Sequence, residues 1–79
     1  MITSGQIKAA RALLGLTTVK LAELSGVGFT TLVRLESFEG VPSANIKTLD
    51  SVKRTLENAG IEFIGSPDDG PGVRLFNKG

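Results

Sequence analysis

The chain contains no cysteine, histidine, tryptophan or tyrosine. Without cysteine there are no disulfides, and without histidine as well the usual zinc ligand sets cannot be assembled. General acid-base work would fall to carboxylates or lysines, none of which forms a recognisable pair or motif, so an enzyme is the poorest functional class and no cofactor is expected. No apolar run approaches the roughly 20 residues needed to cross a bilayer. The opening MITSGQIKAA also lacks a basic region followed by an apolar stretch, so no membrane partner and cytoplasmic residence are the expectations. Strong charge is missing too. The formal net charge is +1, low for a chain that neutralises phosphates. Its distribution carries more information than its sum: Lys8, Arg11, Lys20 and Arg34 fall in the first half, while Asp68 and Asp69 sit near the far end.

What is present is an ordinary globular balance, 41% hydrophobic and 22% charged over 79 residues, which allows one folded domain and no second core. Thr3 with Gln6 three residues on forms a capping box, and Ile2 with Ile7 forms a hydrophobic staple, so a first helix begins there and ends at Gly15. Ile7, Ala10, Leu13 and Leu14 are its expected buried stripe, with Lys8 and Ala12 outward. The cap-and-staple device recurs at Leu16, Thr17 and Leu21, and again at Val27, Gly28 and Leu32. Together these predict two short helices meeting at Gly26, the third running from about Phe29 to Ser37. Residues FEGVP read as a loop. Ser43 or Asn45 then caps a long helix whose Ile46, Leu49, Val52, Leu56 and Ala59 recur at helical spacing as far as Gly60.

After Gly60 the character changes. IEFI and VRLF are β-forming runs separated by GSPDDGPG, which reads as turn throughout. The expected fold is therefore mostly α, a bundle of four or five helices with a C-terminal two-strand β extension. Residues 1–60 form the helical domain and 61–79 the extension. That extension either caps the core with Ile61 and Phe63 inward or pairs with its copy in a second molecule to make a homodimer.

The stretch GLTTVKLAELSGVGFTTLVRLE resembles the helix-turn-helix of the phage-repressor-like bacterial regulators known as the Cro/C1 or XRE type, and VPSANIKTLDSVKRTL resembles that family's closing helix. The resemblance covers roughly residues 3–58. It rests on Ala22 where two helices cross closely, Gly26 at the turn, and Val27, Leu32 and Leu35 in the core. It implies a lambda-repressor-like bundle and a sequence-specific double-stranded DNA-binding regulator, most simply a repressor acting as a homodimer. Carried over by position, Phe29, Thr30 and Arg34 are the base-reading candidates, and Thr17, Thr18, Lys20 and Gly28 lie at phosphate positions. Arg11 and Glu36 take the places of a structural ion pair.

The departures from the family pattern matter for function. Thr18 stands where glutamine is usual, Gly28 and Phe29 where a serine and a polar or basic residue are usual, and Phe38 where glycine is usual. Each makes the groove-facing surface less polar. Phe29 and Val33 are four residues apart and both point outward if Leu32 and Leu35 are core. Three readings of that pair stand side by side: ordinary surface hydrophobicity, contact with thymine methyls, or a protein-binding patch completed by Phe38. The last defines the alternative function, an interaction module or antitoxin-like adaptor with weak or no DNA binding.

Overall fold

The computed structural model describes residues 1–76, so residues 77–79 of the expected extension lie outside the described residues. Four helices are followed by an antiparallel hairpin: α1 (Ser4–Leu14), α2 (Thr18–Ser25), α3 (Phe29–Leu35), α4 (Ile46–Asn58), β1 (Ile61–Ser66) and β2 (Asp69–Leu75). No helix among the described residues is long and apolar enough to cross a membrane.

Capping residues set the helix starts. The Thr3 hydroxyl accepts from the Gln6 amide at 3.0 Å, and the Gln6 carboxamide oxygen accepts from the Thr3 amide at 2.8 Å, so two of the amides that α1 leaves open are satisfied reciprocally. Thr17 caps α2 and Asn45 caps α4 through side-chain oxygens. Gly28 opens α3 with no side chain to contribute. At the α2–α3 turn Gly26 adopts φ 73°, the left-handed region where a side chain is strained.

Ile2, Ile7, Ala10, Leu21, Leu32, Leu35, Leu49, Val52, Leu56 and Ile61 make one core to which every helix and β1 contribute. Several apolar residues expected along the helical stripes are absent from it. Leu13 keeps 49% exposure because it sits about 120° round the helix from Ile7, off the edge of the buried arc. On α2 only Leu21 is buried, while Val19 and Leu24 face water. Ile46 and Ala59, at the two ends of α4, are exposed, with only the central turns of that helix covered.

The α3 helix stops at Leu35, two residues earlier than expected, because its end is captured from α1. The buried Ser4 hydroxyl donates to the Leu35 carbonyl, and the Ser4 amide donates to Gly40 O at 2.9 Å. A carbonyl at a helix end and an amide at a helix start, both orphaned by helix geometry, are thus satisfied inside the core.

The hairpin is longer than β-propensity alone indicates. Most of GSPDDGPG belongs to the strands, and the reversal is confined to Pro67 and Asp68. The reason is a bulge between Ile64 and Ser66. Gly65 takes φ 74°, and a Cβ there would stand 2.1 Å from the backbone oxygen of Gly70, so the strands close only because position 65 lacks a side chain. The strands pair with each other, Ile61 opposite Leu75 through Ile64 opposite Gly72, and β2 packs along α1. Ile61 is buried and Phe63 half-buried against the core, the inward placement expected for a cap. Gln6 fixes the docking: its Nε2 donates to Gly72 O at 2.9 Å and Ile64 O at 3.2 Å, bridging two register partners.

Candidate nucleic-acid interface

Helix α3 presents two distinct faces. Leu32 and Leu35 are fully buried, which turns Phe29, Thr30, Val33 and Arg34 to the outside, all of them exposed. Phe29 retains 50% and Val33 48% of its surface, whereas Phe38, expected as the third member of that patch, is half-buried. It follows α3 in the loop that the Ser4 amide ties to α1 through Gly40 O. From Phe29 to Leu35 the helix carries no acidic residue.

Arg34 shares the outer face, and its guanidinium is partly engaged: Nη1 donates to Ser43 O at 3.0 Å. That bond ties the last turn of α3 to the segment entering α4. The Arg34 carbonyl in turn accepts from the Ser37 hydroxyl at 2.6 Å. Sequence reading missed the bond to Ser43, since nothing in residue spacing says that a loop nine positions on will return to the helix end.

The positions expected to meet phosphate fall at helix starts. Thr17 is exposed and spends its hydroxyl capping α2 on the Lys20 amide at 3.0 Å, while Thr18 is half-buried. Lys20 is exposed and lies 3.7 Å from Glu23, a weak surface pair that leaves its charge accessible. Gly28 lines a polar cleft of about 290 Å³ together with Ser25, Thr31, Lys47, Thr48 and Ser51. Lys47 brings a cation to this cleft and has no ion pair among the described residues; sequence reading did not single it out, because it belongs to α4 and meets the α2–α3 turn only in the fold.

Arg11 and Glu36 hold this surface in place from behind. Arg11 Nε and Nη2 donate to the two Glu36 carboxylate oxygens at 3.0 and 2.9 Å, and Nη1 donates to Leu16 O at 3.1 Å. The guanidinium therefore clamps α1, the α1–α2 connection and the end of α3. Glu36 keeps only 9% of its side-chain surface and Arg11 25%, so the fork is largely removed from water. Hydrogen bonding to Glu36, with its negative charge, raises the Arg11 pKa against the lowering effect of burial, and Arg11 stays charged.

No protein-family model matches the chain, and no curated protein shows significant similarity to it.

Proposed function

We propose that the protein is a cytoplasmic, sequence-specific double-stranded DNA-binding regulator of the phage-repressor-like type, acting as a repressor and homodimer, with α3 lying in the major groove. The observation that carries this reading is the outer face of α3. Phe29, Thr30, Val33 and Arg34 stand exposed on a helix whose other side is locked by Leu32, Leu35 and the Arg11–Glu36 fork. A short helix held from behind, free of carboxylates on its outer side, suits insertion into a groove lined by phosphates. In this reading Phe29, Thr30 and Arg34 meet base edges, and Thr17, Thr18, Lys20 and Gly28 lie along the backbone.

Selection of bound duplexes from a random pool at two salt concentrations tests the proposal. The expected outcome is an enriched site with two-fold symmetry and affinity that falls steeply with salt. Lys20→Ala should weaken all sequences alike and lower the salt slope by about one. Absence of any duplex binding at low salt would sink the reading.

A second reading rests on the half-exposed Phe29 and Val33 and on the near-neutral charge: the same face binds a protein, and DNA affinity is weak or lost. Under it, Phe29→Ala abolishes a protein complex and leaves residual duplex affinity unchanged.

A further inference from the structure

We infer that Phe29 and Val33 read the 5-methyl groups of thymines, so the preferred site carries thymine where these two side chains meet the major groove. This rests on the DNA-binding reading above and specifies the bases that it leaves open. Phe29 and Val33 are one helical turn apart and form a continuous apolar strip on the outer side of α3. The only apolar group that an unmodified base pair offers in the major groove is the thymine methyl. Against any other base edge, the strip would strip water from donors and acceptors and return no hydrogen bond, which selects against those bases.

The polar neighbours point the same way. Arg34 is the one side chain on this face with the reach and the fork for guanine O6 and N7, and its Nη1 is bonded to Ser43 O at 3.0 Å, which draws the guanidinium toward the α3–α4 segment. Thr30 brings a short hydroxyl that pairs with either a donor or an acceptor and so discriminates little. Base selection at the centre of the face thus falls to the apolar pair. The charges suit a nucleic acid better than an apolar protein surface: α3 has no acid between Phe29 and Leu35, Glu36 is taken by Arg11, Arg34 lies in the last turn of α3, and Lys47 lines the cleft beside Gly28 at its start.

The test uses the full chain and a duplex selected from a random pool, with each thymine in turn replaced by deoxyuridine, which removes the methyl and keeps every hydrogen-bonding group. At one or two positions per half-site affinity should fall about fourfold for each methyl lost. Phe29→Ala should abolish the difference between thymine and uracil at one of these positions and Val33→Ala at its neighbour, while Arg34→Ala leaves both ratios intact. Phe29→Leu keeps apolar contact and should preserve part of the effect, and thermal melts by circular dichroism verify that each variant is folded. Equal binding of all uracil duplexes, or a ratio that survives both alanine variants, overturns the inference while leaving DNA binding standing. Duplex affinity untouched by Phe29→Ala overturns it in favour of a protein partner for the patch. Failure to bind any duplex at low salt removes both this inference and the reading beneath it.

Discussion

Leu32 and Leu35 turn into the core with no exposed surface, and Glu36 just beyond them is fixed through both oxygens to Arg11, whereas Phe29 and Val33 on the same short helix keep about half of their surface in water. The inner side finds all its partners within the chain: apolar neighbours for the leucines, Ser4 for the last carbonyl, Arg11 for the carboxylate. Among the described residues the outer side finds one side-chain bond, from Arg34 to Ser43. Residues of one helix are thus divided between holding the fold and facing whatever the protein binds. Substitutions on the two sides should separate stability from binding.

The largest effect is expected from Leu32→Ala. It removes a fully buried side chain from the centre of the core, and the lost transfer energy plus the cavity should cost about 3 kcal/mol, read as a shift in the urea midpoint. In a domain of this size that is a large share of the total. A midpoint unchanged by Leu32→Ala would mean that α3 does not pack as described.

Next comes Arg11→Ala, which leaves the Glu36 carboxylate with little water and no partner. A fully buried pair would lose more, but Arg11 is a quarter exposed, so about 2 kcal/mol is expected. Arg11→Lys should recover less than half of it, because an ammonium cannot reproduce the two-pronged contact. If Arg11 acts from the inner side only, the salt dependence of duplex binding stays at its wild-type slope in an Arg11→Gln protein that circular dichroism shows to be folded. A lowered slope would move Arg11 to the phosphate-binding surface.

Gln6→Ala should cost about 1 to 2 kcal/mol, since it removes the reciprocal half of the α1 cap and both side-chain bonds to the hairpin. Hydrogen exchange should localise the loss to β1 and β2, whose amides open before those of α4. Uniform loss of protection would show instead that the hairpin and helices open as one unit.

Phe29→Ala is expected to have the smallest effect on stability, within about 0.5 kcal/mol, as for other exposed positions. A destabilisation of 2 kcal/mol or so would erase the distinction between the two sides of α3.

Much of this arrangement was legible in the sequence because it depends on neighbours. The Thr3 and Gln6 box, the Thr17 cap and the glycines at 15 and 26 act over three or four residues, a range at which side-chain type alone sets geometry. The inward placement of Leu32 and Leu35 and the outward placement of Phe29 and Val33 follow from helical period. Period failed at Leu13 and Ile46, which have apolar side chains at plausible spacing but no element opposite to cover them among the described residues. The tie from the Ser4 amide to Gly40 O was illegible because it joins residues far apart in sequence.

The sequence by itself determined where the helices begin and turn, that the chain builds one mostly α core, and that no cysteine or histidine chemistry is available to it. Only the tertiary structure decided which polar side chains become internal partners. Ser4 looks like an ordinary surface residue of an amphipathic helix until α3 ends above it, and Gln6 reads only as a local cap until the hairpin folds over it; the Arg11–Glu36 pair was implied by the family resemblance alone, and the fold brings the two side chains together. The physical reason is desolvation. A hydroxyl, an amide or a guanidinium gains a defined role when packing removes its water and a partner from a distant segment must replace it. On the outer side of α3, Phe29 and Val33 remain open to solvent, because no segment among the described residues covers them.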